Sequence, residues 1–523
     1  VILEGPLKRE SDNSYSTVSY LLTAKNSFLS KSSTLFYPNI EGGLPFDFLD
    51  LYGKLSFNTG TGSKVNLFGF RYDDQVLGYQ AIADFHWRNY GVGSNFVLVT
   101  GTSSVLDGTI AYSDYMVNLA DASGKPKFSG INGFNANVNI TNTYGNDKLK
   151  FGILFEGYST QYHYVNQYNI TQEQDENTTN ASAYATYHLI TDKLLVDPGI
   201  RLSYYASLNE PTIEPRLSVK YNATSNLHFK CAGGLYSQVL LDARSDNDIV
   251  NLFSGFLTGS GGLNTPNFFH GEPVTSCLQR AKHLVAGVEY DFTRHLSGNL
   301  EFYIKDFSQL VNMNHNQRYD QSDPAYQYGG VFEQPQYFLT DFILQTGIAK
   351  GMDMSLCYDG DQVYLWATYS LGSVTRTDEV ETYHPHYDRR HTVNLLATYT
   401  PGVERKWEFS ARWSFGSGFP FTQTVGVFES LPFEDGISTE YWNANGQYGV
   451  YYGEIYGGRL PSYHRLDLGV KRRFSFGRRT ILDLNLSVTN VYNRNNIFYF
   501  DRLTFDRVDQ LPILVCLGIN LSF

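Results

Sequence analysis

Apolar and polar residues alternate with a period of two through most of the chain, the mark of β-strands whose two faces meet different surroundings. The end of the chain is a plain example. Ile513, Val515, Leu517, Ile519, Leu521 and Phe523 form one row, and Leu514, Cys516, Gly518, Asn520 and Ser522 form the other. In 405–416, Trp407, Phe409, Ala411, Trp413 and Phe415 oppose Lys406, Glu408, Ser410, Arg412 and Ser414. The pattern predicts strands at 15–29, 45–57, 64–73, 82–100, 105–116, 131–141, 147–158, 179–190, 194–207 and 213–222. It continues with 226–238, 280–292, 296–310, 344–357, 361–373, 391–400, 405–416, 462–474, 480–490 and 512–523, and a stub at 1–6 precedes them all. Helical periodicity behind a capping residue is nearly absent.

The connections decide between a soluble and a membrane reading. Short turns such as Asn58–Ser63, Gly101–Ser104, Asn142–Asp147, Tyr221–Asn226 and Gly477–Thr480 alternate strictly with longer connections, the largest near 239–279, 311–343 and 417–461. Turns at one end, loops at the other and strands of about ten residues or more describe a membrane barrel. A soluble sandwich has no reason to sort its loops by parity. The expected fold is therefore all-β, a transmembrane antiparallel β-barrel. Parity sends both 512–523 and the stub toward the turn side, with Phe523 at that end. An antiparallel barrel closes on an even count, so about twenty full strands plus a stub imply one further strand upstream and a total of twenty-two. Strand 512–523 should then pair with 480–490 on one edge, and on the other with a strand from upstream or from a partner. Closure onto 15–29 instead would mean a miscount.

Composition agrees. Of 523 residues 42% are hydrophobic and 15% aromatic, with 40 Tyr and 36 Phe. No run of apolar residues is long enough for a transmembrane helix, and a mean hydropathy of -0.30 suits strands that are half polar. Tyrosine on this scale fits the girdles of a barrel, where the ring meets lipid and the hydroxyl meets water. A net charge of -12 argues against nucleic acid as a partner. Cys231, Cys277, Cys357 and Cys516 are too scattered for a metal site or a disulfide framework. No nucleophile–base set stands out, so neither an enzyme nor a cofactor is expected.

Several short stretches carry a family resemblance. They are Leu3-Glu4-Gly5-Pro6-Leu7, Glu214-Pro215-Arg216, Tyr236-Ser237-Gln238, Tyr387-Asp388-Arg389-Arg390-His391 and Gly416-Ser417-Gly418-Phe419-Pro420-Phe421-Thr422. Tyr463-His464-Arg465-Leu466-Asp467-Leu468 and Asn490-Val491-Tyr492-Asn493 follow. In this order the set resembles TonB-dependent outer-membrane receptors, particularly the Bacteroidetes type. The resemblance implies a bacterial outer-membrane barrel of 22 strands, an N-terminal plug filling its lumen and a TonB box. It also implies a terminal aromatic, here Phe523, read by the assembly machinery. The implied function is TonB-dependent active uptake of a scarce solute, with the plug gating the lumen. The alternative is a non-transporting barrel, a subunit or scaffold of a larger secretion or lipoprotein complex. Residues 1–523 read as one barrel domain, its first strand and plug lying upstream. The partners implied are outer-membrane lipid, the plug, TonB through an upstream segment and a surface lipoprotein.

Two groups of candidate site residues follow. Glu289, Glu301, Lys305, Glu408, Arg412, Asp467, Lys471 and Asp483 fall on the polar side of their strands. Charges in a dry interior need partners, so these should face a wet lumen and bond the plug. In the loop 417–461, Phe419, Phe421, Tyr441, Trp442, Tyr448, Tyr451 and Tyr452 stand among Asn, Gln and Gly. Such aromatics suit a glycan, peptide or siderophore-like ligand. His384, His386 and His391 are spaced closely enough for a metal, but the reading preferred here is a polar segment pinning the start of strand 391–400. Asp242, Asp246 and Asp248 lack the order of a calcium loop. No metal site is expected.

Overall fold

The computed structural model describes the whole chain except residues 10–15, 37–42, 80–81, 122–125, 167–169, 245–252, 260–261, 321–334, 430–447, 478–479, 501, 503–504, 511 and 523. Its strands in chain order begin with β1 (Ile2–Lys8), β2 (Thr17–Asn26), β3 (Phe46–Asn58), β4 (Lys64–Tyr79), β5 (Ile82–Val99), β6 (Ser104–Asp121) and β7 (Pro126–Tyr144). Then come β8 (Asp147–Val165), β9 (Thr171–Ile190), β10 (Leu194–Tyr205), β11 (Glu210–Asn222), β12 (Leu227–Gln238), β13 (Gln279–Asp291) and β14 (Leu296–Met313). The last are β15 (Phe342–Asp359), β16 (Val363–Thr377), β17 (His391–Tyr399), β18 (Trp407–Gly416), β19 (Tyr463–Phe476), β20 (Thr480–Thr489) and β21 (Leu514–Ser522). Together with the two-residue ribbon Thr382–Tyr383 beside β16, they make one 22-stranded sheet. Each strand pairs antiparallel with the next. Every predicted strand is present, and the stub is β1.

Register explains the alternation. Between β20 and β21, Leu482 faces Leu521, Leu484 faces Ile519, Leu486 faces Leu517 and Val488 faces Val515, while Asp483 faces Asn520 and Asn485 faces Gly518. The apolar row lies open, with Val515 60%, Leu517 72% and Ile519 68% exposed. The same face carries Ile110, Phe134, Ile153, Leu202, Ile213, Leu284, Phe302 and Met354 around the sheet, all exposed. A water-soluble surface rarely shows so extended an apolar face, so this one is built for lipid. Exposed aromatics bound it at the turn end (Tyr144, Tyr221, Tyr290, Tyr399, Phe476) and at the loop end (Tyr90, Tyr112, Tyr204). From Leu194, which pairs with Tyr221, up to Tyr204 is ten residues. At about 3.4 Å per residue and a tilt of about 40°, that spans roughly 26 Å, the thickness of a barrel's apolar band. Gly145 (φ +62°) and Gly477 (φ +66°) supply left-handed backbone where the turn-end hairpins reverse.

The edges of the sheet fall as the parity argument requires. β21 pairs with β20, and β2 is held by β1 on one side and β3 on the other. The last strand therefore does not close onto β2.

Two features depart from the sequence reading. Short and long connections do not alternate strictly, because β4 to β9 run 16 to 20 residues each and absorb the segments read as loops. Residues 171–180, Thr-Gln-Glu-Gln-Asp-Glu-Asn-Thr-Thr-Asn, hold no apolar side chain yet form half of β9. Above the membrane the outer face meets water and the inner face meets polar groups of the loops, as where Gln172 and Gln174 are buried against Gln317 and Thr258, so the ladder continues with no apolar alternation to betray it. An eight-residue helix, Leu29–Phe36, was also not anticipated.

The buried apolar core lies above the sheet's apolar band, toward the loop end. A hairpin of Leu240–Ala243 and Gly255–Thr258 crosses from the tops of β7, β8 and β9 to the top of β14. Phe256 donates its N–H to Ser129 Oγ at 2.8 Å, and Thr258 donates its own to Gln174 Oε1 at 3.0 Å. The hairpin's Leu241 and Leu257 are buried together with Val117, Leu119, Tyr162, Phe253, Val311, Met313 and Phe342.

Candidate functional site

The eight predicted wall charges separate into two patches on the face opposite the lipid. On β11 to β14, Glu289 accepts from Lys230 (2.9 Å) and Lys220 (3.3 Å), and Lys230 also lies 3.9 Å from Glu301. Lys305 sits over the Tyr303 ring on the same face. On β18 to β20, Glu408 stands opposite Lys471 and Arg412 opposite Asp467. Asp483 takes a two-pronged bond from Arg473 at 2.8 and 3.0 Å, with Lys471 3.9 Å away. Asp467 accepts from Arg465 and from the Asn490 N–H. Glu289, Glu301 and Asp483 thus take cations from nearby strands, and Asp467 takes Arg465 of its own strand, which lets a polar wall hold charge at membrane height.

A third polar patch was not singled out from the sequence. Asn139 donates to Asp107 (2.8 Å) and Asn137 to Asn135 (3.3 Å); Asn135 in turn donates to Glu156 (3.1 Å). Asn180 and Tyr158 also donate to Glu156, and Arg201 lies 3.9 Å from it. A parallel link joins Ser56, Asn66 and Asn95 on β3 to β5. The signal was present: asparagines at 135, 137 and 139 share one face of one strand.

Three of the quoted motifs, Tyr387–His391, Gly416–Thr422 and the one that begins at Tyr463, meet where β16 to β19 leave the membrane. Arg389 donates to the Ser417 carbonyl at 3.0 Å, and its guanidinium lies 4.0 Å from the Phe419 ring centre and 5.8 Å from that of Tyr463. A Cβ on Gly416 would collide with that guanidinium at 2.3 Å, so the glycine clears its path. Beside it the Asp388 side chain is fully buried. It accepts from Arg459 Nη2 and from the Val374 N–H, each at 2.7 Å, with Arg390 at 3.5 Å and His384 at 3.7 Å. Asn490, also buried, closes the next turn by bonding Arg494 in both directions.

The loop aromatics do not form one cluster. Phe419 packs under Arg389, and Phe421 belongs to a short ribbon with Gly458. Tyr452 lies under Arg502 at 5.0 Å. Tyr448 and Tyr451 stand open on the hairpin of Thr424–Glu429 and Tyr448–Tyr452, 66% and 57% exposed, with the Phe428 ring centre 4.5 Å from that of Tyr451 and tilted 41° to it. Tyr441, Trp442 and Phe523 lie outside the described residues, as do Asp246 and Asp248.

The three histidines go to different partners: His384 to the Val374 carbonyl, His386 to Arg244, His391 to Tyr369. Among the described residues no group of three or more His, Cys, Asp or Glu is arranged to hold a metal. In the same loops His315 lies 3.3 Å from Asp378. Burial works to raise the Asp378 carboxyl, but His315 and the N–H groups of Glu381 and Val380 bring it below its ordinary value. Asp341 goes the other way: burial raises it despite bonds from Gln317 and Asn264.

No family model matches the chain, and no curated protein matches it in sequence. Solved structures do match in fold. The FrpB iron transporter from Neisseria meningitidis superposes with a TM-score of 0.65 at 12% identity, covering 99% of this chain and 78% of that one. The ferric enterobactin receptor PfeA from Pseudomonas aeruginosa gives 0.65 at 11%, covering 100% and 77%. The ferric-catecholate import receptor Fiu from E. coli gives 0.63 at 12%, covering 100% and 80%. The likeness is one of fold: the sheet follows that of the barrels in these transporters and receptors.

Proposed function

We propose that the chain is the barrel of a TonB-dependent transporter in the bacterial outer membrane, taking up a scarce solute by a plug-gated route and catalysing no reaction. The observation that carries this reading is the antiparallel meander of 21 through-going strands, with its lipid-ready outer face, in the fold of iron-transporter barrels. The motifs gathered around Asp388 and Arg389 support the Bacteroidetes type. In this reading the turn end is periplasmic, and a strand outside 1–523 lies between β21 and β1. The plug seats on the two ion-paired patches of Glu289, Glu301 and Lys305 and of Glu408, Arg412, Asp467, Lys471 and Asp483. Tyr448 and Tyr451 are the loop aromatics best presented to a solute. The test is uptake by cells expressing the whole gene. Accumulation that stops when the proton-motive force is collapsed supports the proposal. Rapid liposome swelling by the isolated full-length protein would point to an open pore and overturn it.

A further inference from the structure

Among the described residues, one arginine on the outward face has aromatic neighbours but no carboxylate to balance it. β19 places Arg472 on the apolar row, directly opposite Trp407 of β18 and Leu484 of β20. Its guanidinium lies 4.6 Å from the ring centres of both Trp407 and Phe474. Phe474 is two residues nearer the turn end, so the side chain leans toward that boundary and not toward the middle of the band. Other arginines on the outward face, Arg71 and Arg88 near the loop end, have carboxylates: Asp73 at 2.7 Å and Asp114 at 3.9 Å. Arg472 has no hydrogen bond or ion pair with any described residue, and the Trp407 indole N–H has none either.

A guanidinium at the edge of hydrocarbon needs an anion, and ring faces supply only part of that. The two rings 4.6 Å away offer the guanidinium no acceptor, and its N–H fork matches two oxygens of a phosphate. The indole N–H beside it adds a third donor. We propose that Arg472, Trp407 and Phe474 form a binding site for the phosphate of a phospholipid headgroup in the leaflet at the turn end. The acyl chains would lie along Phe409, Leu468 and Leu486, which are exposed on the same face. The inference rests on the membrane-barrel reading but goes beyond it, since a barrel requires no particular lipid at any one strand.

The test is native mass spectrometry of the full-length protein released from detergent with phosphatidylglycerol or with diacylglycerol, which lacks the phosphate. The wild type should retain one phosphatidylglycerol beyond its background and no extra diacylglycerol. Arg472→Gln should weaken retention about tenfold, and Arg472→Lys, which keeps the charge but not the fork, should fall between. Equal retention by the wild type and Arg472→Gln, with both folded by resistance to unfolding in cold detergent, overturns the site and leaves the barrel intact. Retention of neither lipid by any form, in a protein soluble without detergent, overturns the membrane reading itself.

Discussion

Two stretches of the same sheet solve the problem of a polar inner wall differently. β4 to β9 are 16 to 20 residues long, carry few residues between them at the loop end and line their inner face with amides and hydroxyls. β17 to β21 are 9 to 14 residues long, carry long loops and line theirs with ion pairs. In the first stretch the ladder itself rises out of the membrane, and height is held by backbone hydrogen bonds. In the second the ladder stops near the membrane, and the loops are fixed by a few buried side chains at their roots. The first should therefore tolerate single side-chain losses, while the second should fail at particular residues.

The sharpest way to break that contrast is at Asp388. Replacing it with Ala leaves Arg459, Arg390 and the Val374 N–H facing a buried void. Because Arg459 and Arg390 are each about a third exposed, the loss of this buried, charge-assisted acceptor costs about 1.5–3 kcal/mol. Most of that should appear as loosening of 378–390 and 417–462, read as faster protease cleavage there while the barrel stays folded. If Asp388→Ala leaves cleavage unchanged, the roots do not hold the loops. A smaller effect is expected in the long-stranded region at Gly157. A Cβ there would lie 2.3 Å from Phe134 Cε1 on the facing strand. Gly157→Val should cost about 1–3 kcal/mol by overpacking, seen as a lower unfolding temperature with no change in loop cleavage.

The ionic wall itself should be more forgiving than its density suggests. Glu289, Lys220 and Lys230 are each about a third exposed, so water screens them. Glu289→Gln should cost about 0–1 kcal/mol in the isolated barrel. Asn137→Ala should cost about 0.5–1.5 kcal/mol if its relay acts through single bonds, and less if Asn135, Asn139 and Glu156 close ranks around the gap. Chemical denaturation in detergent measures both. A loss at Asn137 well above that range would show that the amide wall depends on single residues after all.

How much of this could be read from the chain depended on water. Inside the membrane the two faces differ, so alternation located every strand, and Leu482 to Val488 could be assigned to lipid from sequence alone. Above it, in 171–180, one face meets water and the other meets polar loop groups, both take polar side chains, and the same backbone ladder leaves no trace in residue type. The root motifs were visible as Tyr387–His391 and Gly416–Thr422, but not their meeting, because Asp388 and Arg459 are 71 residues apart and nothing local pairs them. The contact of Gln172 with Gln317, at 2.7 Å across 145 residues, was hidden for the same reason. The amide relay is the one element that spacing offered and the reading passed over.

The smallest expected effect concerns acid. In the loops beside β16, Asp378 holds its carboxyl below the ordinary value of 3.8, against burial, through His315 and two N–H groups. A carboxylate depressed on folding stabilises the fold above its unfolded value, and that stabilisation is lost as pH falls through the lower folded value. Near neutrality the Asp378 contribution is therefore fully present. It fades only below about pH 3.8, the reference value for the carboxyl. Asp378→Asn should loosen 378–390 at neutral pH by less than Asp388→Ala does, because Asn still accepts the two N–H bonds and loses only the charge facing His315. The two proteins should converge in cleavage, by an acid-active protease, as the pH drops below that value. A gap that persisted or widened in acid would mean that Asp378 acts by shape and hydrogen bonding alone. The loop roots of β16 to β19 would then resemble the amide wall of β4 to β9 more than the contrast allows.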